Sequence, residues 1–270
     1  MTKNKFHNRT RTTKSIPRKL IRERKYHYLP LYALLRLSRL SNEAMNNSGS
    51  YHFADHIYRF KSEGTYGVGR IVDWTVLRLP SARDFRQRYI YAKKVIADLG
   101  TEKEGLKILV APAGLAREVF EHGELITKKK HLVHGLDLDH ILVDDQNKKA
   151  KSNNLPIAYF QGDMLDPSHY PEKSYDLIIC MGLTEFLEDS HAEKLFKIFK
   201  SKLASGGTLY TSSTNVHKFS DKLLRNLADL HTNYRSEEDL YEILKRAGFM
   251  VQTSHVTKNK LQTIVRAKKT

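Results

Sequence analysis

The second half of the chain alternates short apolar runs with longer segments in which apolar residues recur at helical spacing. The five runs cover residues 107–111, 131–137, 157–162, 175–181 and 208–214. Runs of this length are typical of buried strands, and the segments between them are typical of amphipathic helices. The alternation predicts an α/β fold with a mostly parallel sheet and helices on both faces.

Two further runs, at residues 249–256 and 261–266, are separated by a short turn. Strands joined this tightly must pair antiparallel, because a parallel pair needs a long crossover. Just before them, Ser236 and Asp239 have the spacing of a capping box, and Gly248 ends the helix that they begin. The chain therefore predicts seven strands, the last of them in an antiparallel C-terminal hairpin.

The turn after the first strand has the local pattern of a nucleotide site. Residues 105–121 read G-L-K-I-L-V-A-P-A-G-L-A-R-E-V-F-E, with a strand that breaks at Pro112, turns through Gly114 and leads into a helix near Ala116. The backbone N–H groups at the start of such a helix would face a polar or anionic ligand. Turns of this kind also occur in many α/β proteins that bind nothing there.

Acidic residues follow the next two strands. Asp137 ends the second strand, 23 positions after Gly114, and Asp163 follows the third. A carboxylate at the first of these positions can accept hydrogen bonds from both hydroxyls of a ribose. Asp139 lies close by, and we interpret it as the N-cap of the following helix.

Residues 105–270 resemble the class I S-adenosylmethionine-dependent methyltransferases, which have a Rossmann-like sheet. The resemblance rests on the order of these strands and acids, and on a last helix that closes in A-G-F before the hairpin. It implies a methyltransferase whose cofactor is S-adenosylmethionine. In this family Asp137 would bind the ribose, Asp163 the adenine amine, and the Met164 backbone N–H a ring nitrogen. The resemblance implies cofactor contacts at Ala111, Pro112, Gly114, Asp137, Asp163, Met164, Met181 and Gly182.

The first turn departs from the family pattern, which reads acid-x-Gly-x-Gly-x-Gly. Val110 stands at the acid, Pro112 and Ala116 stand at the first and third glycines, and Gly114 keeps the second. Val110 cannot anchor the amino group of the methionine moiety. Either another residue supplies that contact or the cofactor binds weakly.

The N-terminal part predicts a helical extension ahead of the sheet. We divide the chain into a basic flexible tail at 1–25, a helical cap or lid at 26–104 and the methyltransferase-like domain at 105–270. One amphipathic helix is expected at 29–45 and another at 82–99, the latter with Arg88 and its other basic residues on a solvated face. Residues 51–74 are aromatic, with a flexible link at Gly64, Gly67 and Gly69, and are expected to cover the acceptor.

Four residues are candidates for the substrate side. Tyr58 and Tyr66 lie in the aromatic segment, and Thr184 and Glu185 follow the fourth strand. The alternatives are that the tyrosines are packing residues and that Glu185 begins the next helix. No catalytic residue is assigned, because methyl transfer from a sulfonium needs in-line approach and exclusion of water rather than a covalent intermediate.

The formal net charge is +16, and most of it lies near the N-terminus. Residues 1–40 contain twelve Lys and Arg against one acid, Glu23. Such a tail could contact RNA or an anionic membrane surface through phosphate groups. A solvated arm and a transit peptide are the alternatives.

Composition excludes several other classes of site. The single cysteine, Cys180, excludes an internal disulfide, and we interpret it as a buried strand residue. His52 and His56 have metal-ligand spacing but no third ligand, so no metal is predicted. No apolar run is long enough to span a membrane, and a cytoplasmic protein is expected.

These observations favour a methyltransferase acting on a small-molecule or lipid-like acceptor that the sequence does not identify. The first alternative is an RNA methyltransferase that uses the basic tail. The second is a non-catalytic scaffold, which would explain why the first turn lacks the acid and two of the three glycines of the family pattern. A nicotinamide-dependent oxidoreductase is disfavoured, because G-x-G-x-x-G is absent.

Overall fold

The computed structural model describes residues 15–47 and 49–269, and their contacts form two compact units. The first unit is the described part of Met1–Arg86 together with Val216–Thr232. The second is Gln87–Asn215 with the described part of Asn233–Thr270. This division differs from the predicted boundaries after residues 25 and 104, because it falls within a helix and assigns a segment after the fifth strand to the first unit.

The second unit is built on a seven-stranded sheet. Its strands are β1 Lys107–Val110, β2 Leu132–Asp137, β3 Ile157–Gln161, β4 Tyr175–Cys180, β5 Leu203–Thr214, β6 Phe249–Val256 and β7 Gln262–Lys269. They lie in the order β3-β2-β1-β4-β5-β7-β6. The first five strands pair parallel, and β7 pairs antiparallel with both β5 and β6. The predicted fold class is confirmed.

Helices cover both faces of this sheet. They are the second part of α6 Pro80–Glu102, then α7 Arg117–Phe120, α8 Gly123–Lys128, α9 His140–Ser152, α10 Asp189–Lys202 and α12 Glu237–Arg246. Successive strand residues point to opposite faces, so Leu109 packs in a cluster with Phe196 of α10, whereas Ile108 packs in a second cluster with Ile96 of α6. Fully burying each such side chain contributes about 1.5–3 kcal/mol.

Two predicted helix starts are confirmed in the second unit. The Asp139 carboxylate accepts hydrogen bonds from the backbone N–H groups of Ile141 and Leu142, at 3.0 and 3.2 Å, and so caps α9. Ser236 and Asp239 form a reciprocal capping box at α12. Both caps satisfy N–H groups that have no partner within the helix.

The first unit is helical in its described residues. Its helices are α1 Ser15–Arg22, α2 Tyr28–Leu35, α3 Arg39–Asn46, α4 Tyr51–Arg59, α5 Tyr66–Arg78, the start of α6, α11 Lys218–Leu223 and a π-helical turn at Leu224–Ala228. Nowhere in residues 15–47 and 49–269 is a helix both long and apolar enough to cross a membrane.

Two predictions for this unit are wrong. The single helix at 29–45 is two helices, because Ser38 adopts an extended conformation and caps α3 by accepting from the Ser41 N–H at 2.9 Å. The flexible tail is helical over Ser15–Arg22, where Ile16 and Leu20 are buried. Residues 1–14 of that tail lie outside the described residues.

The glycines of the aromatic segment do not form the flexible link that the sequence predicts. A flexible link at Gly64, Gly67 and Gly69 was expected, but the latter two lie inside α5. A Cβ atom at Gly64 would overlap the carbonyl of Gly69, and a Cβ atom at Gly69 would overlap the carbonyl of Leu37. Two of the three glycines therefore permit close backbone packing rather than motion.

A buried carboxylate holds this packing together. Asp73 is fully buried and accepts hydrogen bonds from the Ser38 hydroxyl at 2.5 Å and from the N–H groups of Leu40 and Glu63 at 3.2 and 2.8 Å. The Nε2 atom of His56 lies 2.9 Å from the Lys61 carbonyl, to which it donates. One side chain from the middle of α5 thus joins the start of α3 with the loop between α4 and α5.

Replacing Asp73 with Ala should lower the free energy of unfolding by about 3 kcal/mol, because buried donors at Ser38, Leu40 and Glu63 lose their acceptor. Urea unfolding followed by fluorescence measures this directly, since Trp74 is the only tryptophan in the chain. The matched control is Asp98→Ala, which removes an exposed carboxylate. Equal stability of the two variants would contradict the role given to Asp73.

Candidate cofactor site

The candidate site lies where the carboxyl ends of β1, β2 and β4 meet. Val110 of β1 pairs with Gly135 of β2 on one side and with Ile179 of β4 on the other. The strand order runs outward from β1 in one direction and from β4 in the other, so a crevice opens between these two strands. The residues that follow Val110, Gly135 and Ile179 line it.

The first turn is held by backbone hydrogen bonds to both neighbouring strands. The Ala111 N–H donates to the Ile179 carbonyl and the Ala113 N–H to the Leu136 carbonyl, each at 3.0 Å. Gly114 has a positive φ of 49°, which turns its own N–H toward the Asp137 carboxylate, at 2.9 Å from Oδ2. This contact brings together two residues predicted for the cofactor site, Gly114 and Asp137.

The helix predicted near Ala116 begins at Arg117 and contains only four residues. A helix of one turn has little dipole, and the prediction that the N–H groups at its start would face a ligand stays a prediction. Pro112 lies half-buried in the turn, and Ala111 and Val110 are buried beneath it. The valine side chain packs in the sheet core and reaches no ligand position.

Asp137 carries a partly buried carboxyl group. Its Oδ1 atom accepts the N–H of Asp139 at 3.2 Å, in addition to the Gly114 contact. Burial raises the pKa of this carboxyl above its ordinary value, although the backbone N–H groups of Gly114, Asp139 and Leu138 oppose the shift. A raised pKa means that stability is fully present below the unfolded-state pKa and is lost as pH rises through the folded-state pKa. At neutral pH the ionised Asp137 side chain therefore destabilises the free protein. A ligand that brings hydrogen-bond donors would stabilise the ionised form.

Asp163 and Met164 form the turn after β3. The Asp163 carboxylate accepts the N–H of Leu165 at 2.9 Å, and the Met164 carbonyl accepts the Tyr170 hydroxyl at 2.7 Å. The Gly162 N–H donates to the Asp137 carbonyl, which ties this turn to the end of β2. Ordinary turn chemistry accounts for these contacts, and the adenine-binding role of both residues stays a prediction.

The end of β4 is shaped by Gly182. This residue has a φ of 82°, and a Cβ atom there would lie 3.3 Å from the Nη2 atom of Arg88. Met181, just before it, is half-buried against the core that contains Val110. The mouth of the crevice is thus backed by a guanidinium group of α6.

Arg88 is the residue that the sequence interpretation missed. It is only 2% exposed, and its Nη1 atom lies 2.6 Å from the Glu185 carboxylate. The prediction of a solvated basic face on α6 is therefore wrong at this position. A signal was present, since Arg88 precedes Ala92 and Val95 at helical spacing on the apolar face.

The two substrate-side candidates after β4 are both buried. The Thr184 hydroxyl donates to the Ser212 carbonyl at 2.6 Å, and its own carbonyl accepts from the guanidinium of Arg235. Glu185 pairs with Arg88 and lies in a short 3-10 helix, Thr184–Phe186, which precedes α10. Their substrate-side roles stay predictions.

The other two candidates belong to the first unit. Tyr58 is half-buried and stacks on Phe85 with ring centroids 5.8 Å apart. Tyr66 begins α5 and is 84% exposed. A packing role thus accounts for the first tyrosine but not for the second. Cys180 is fully buried, and burial raises the pKa of its thiol, in agreement with its interpretation as a strand residue.

Comparisons with known proteins agree with the fold. Residues 114–207 match a family model described as a methyltransferase domain. That range contains Gly114, Asp137, Asp163 and Gly182. The predicted resemblance to class I S-adenosylmethionine-dependent methyltransferases is confirmed. No curated protein sequence matches the chain.

Three similar solved structures support the fold. A possible exported protein from Bordetella parapertussis is 17% identical, with a TM-score of 0.79 over 96% of this chain and 97% of that one. Magnesium protoporphyrin IX methyltransferase from Synechocystis, with bound S-adenosylhomocysteine, is 16% identical, with a TM-score of 0.57 over 80% and 94%. An S-adenosylmethionine-dependent methyltransferase from Clostridium acetobutylicum is 15% identical, with a TM-score of 0.53 over 67% and 92%. The predicted cofactor, S-adenosylmethionine, agrees with these comparisons.

Proposed function

Because residues 114–207 carry a methyltransferase domain on a class I fold, we propose that this chain transfers the methyl group of S-adenosylmethionine to a small-molecule or lipid-like acceptor. The observation that carries the proposal is the partly buried carboxylate of Asp137, which accepts a hydrogen bond from the Gly114 N–H at the crevice between β1 and β4. Its two oxygens accept from the N–H groups of Gly114 and Asp139, and each oxygen can accept a further hydrogen bond. The vicinal hydroxyls of a ribose would supply two more.

We assign the other predicted residues roles around this anchor. Gly114 leaves room for the cofactor above the first turn, and Asp163 with Met164 would contact the adenine. Met181 and Gly182 would border the reacting end. When bound, the cofactor supplies a methyl group activated by a sulfonium for in-line attack. The residues of this chain then need to orient the acceptor and exclude water.

Calorimetric titration with S-adenosylhomocysteine tests the proposal. Asp137→Asn should weaken binding by about 2–4 kcal/mol, because two charge-assisted hydrogen bonds are lost. The same change also places an amide NH2 group where Asp137 accepts the N–H of Gly114 or Asp139, so circular dichroism and thermal unfolding are measured beside the titration to establish that the variant is folded.

Asp145→Asn is the control, because that side chain is 62% exposed on α9. Wild-type protein that binds no S-adenosylhomocysteine would favour the non-catalytic scaffold. Unchanged affinity in Asp137→Asn would contradict the ribose assignment alone.

A surface of the first unit supports the lipid-like acceptor over the RNA alternative. Ile71 and Trp74 of α5 are 66% and 51% exposed, and they lie on one stripe with Gly67 and Arg78. The Arg78 guanidinium lies 4.0 Å from the Trp74 ring centroid. The only acid of α5 is the buried Asp73, so its exposed face is apolar and basic, as in helices that lie on anionic bilayers.

The basic tail supports RNA binding less than its composition suggests. Lys19 donates to Asp229 at 2.7 Å, and Lys25 donates to the Asn226 side chain at 2.7 Å. Both lysines thus hold the first unit together. Residues 1–14, which contain five of the basic residues of the tail, lie outside the described residues.

Ile71→Ser should weaken binding to vesicles that contain phosphatidylglycerol, because it removes apolar area from the α5 stripe. Co-sedimentation and a blue shift of Trp74 emission measure the binding. Ile141→Ser is the matched control, since Ile141 is 59% exposed on α9 of the second unit.

Three outcomes would contradict the lipid-surface proposal. They are equal binding of both variants, absence of vesicle binding by the wild type, and salt-sensitive binding to RNA without vesicle binding. The last would favour the RNA methyltransferase.

A further inference from the structure

An ion pair buried behind the crevice has no role in the function described so far. Arg88 of α6 and Glu185, which follows β4, are 2% and 5% exposed, and their charged atoms lie 2.6 Å apart. Removing two charges from water costs several kcal/mol per ion, which their attraction offsets only with additional hydrogen bonds. Stability alone is therefore a weak reason for such a pair.

The pair lies next to the cofactor crevice. Gly182 follows β4 three residues after Ile179, which pairs with Val110 at the end of β1. The Arg88 Nη2 atom is the nearest atom to a Cβ built on Gly182. The guanidinium group is thus separated from the mouth of the crevice by a residue without a side chain.

The carboxylate of the pair has unused capacity. Glu185 Oε1 accepts from Arg88, whereas the buried Oε2 atom accepts no hydrogen bond from any residue within 15–47 and 49–269. A buried carboxylate oxygen without a donor is costly, and a ligand that brings a positively charged donor would satisfy it. The planar guanidinium of Arg88 is suited to a carboxylate.

We propose that Arg88 and Glu185 bind the amino-acid end of S-adenosylmethionine. Arg88 faces the α-carboxylate and Glu185 the α-ammonium group, so the pair replaces the acid that is missing at Val110. This inference rests on the proposed function. In the complex, two charges of the protein and two of the ligand would lie together. Each charged side chain would then contact an opposite charge of the ligand as well as its partner in the ion pair.

The alternative is that the pair only fastens α6 to the segment after β4. The two roles differ in ligand dependence. A structural pair affects every ligand of the crevice equally, whereas a pair that binds the amino-acid end matters only for ligands that possess it.

The test compares S-adenosylhomocysteine with 5′-methylthioadenosine, which has the same nucleoside and sulfur but lacks the amino-acid end. Calorimetry on Glu185→Gln and Arg88→Lys should show at least about a tenfold loss of affinity for S-adenosylhomocysteine, the size expected for one charge-assisted hydrogen bond. Affinity for 5′-methylthioadenosine should stay within about twofold of the wild type. Arg88→Lys keeps the positive charge, so it tests the inference even if Glu185→Gln does not fold.

Arg235→Lys is the matched control. Arg235 is also buried in the second unit, where it donates to the carbonyls of Thr184 and Leu187 and pairs with Asp189. It should not change the ratio of the two affinities. Equal losses for both ligands, or no loss for either, in Glu185→Gln and Arg88→Lys would overturn the inference while leaving the proposed function intact. A wild-type protein that binds neither ligand would overturn both.

Discussion

The hydrogen bond between the Gly114 N–H and the Asp137 carboxylate is the interaction on which the candidate site depends. It joins the turn after β1 to the end of β2 at 2.9 Å. It forms because parallel pairing in register places both chain segments at the same edge of the sheet. The result is a partly buried carboxyl group whose pKa is raised by burial, and groups with shifted pKa values are found at binding sites more often than at random positions.

A fully buried carboxylate organises the first unit, with a different consequence. Asp73 accepts three hydrogen bonds from within its own unit, including two from backbone N–H groups. Its partners come entirely from the fold, so it stabilises packing. Asp137 also accepts backbone N–H groups, but it is partly exposed at the crevice. Glu185 is buried, but its Oε2 atom has no hydrogen-bond donor among the described residues.

Features set by local sequence could be predicted, and features set by distant contacts could not. The strands follow from apolar runs, the antiparallel hairpin from a short turn, and the caps at Asp139 and Ser236 from residue type and spacing. Asp137 could be placed at the end of β2, because its offset from Gly114 reflects a fixed strand–helix–strand geometry. Arg88 was missed because a basic residue on a helix is usually solvated, and its partner lies 97 positions away.

The N-terminal part shows the same limit of local patterns. Gly64 and Gly69 have the composition of a flexible link, but a backbone carbonyl packed against each one gives them the opposite role. Residues 216–232 follow β5 along the chain yet belong to the first unit, through contacts such as that of Lys19 with Asp229. Neither feature has a signal within a short window of sequence.

A crystal structure of the protein with S-adenosylhomocysteine tests the central claim most directly. The account predicts that both ribose hydroxyls lie within about 3 Å of the Asp137 carboxylate oxygens, above the Gly114 turn. Ligand bound away from the crevice between β1 and β4, or bound there with its ribose directed away from Asp137, would contradict it.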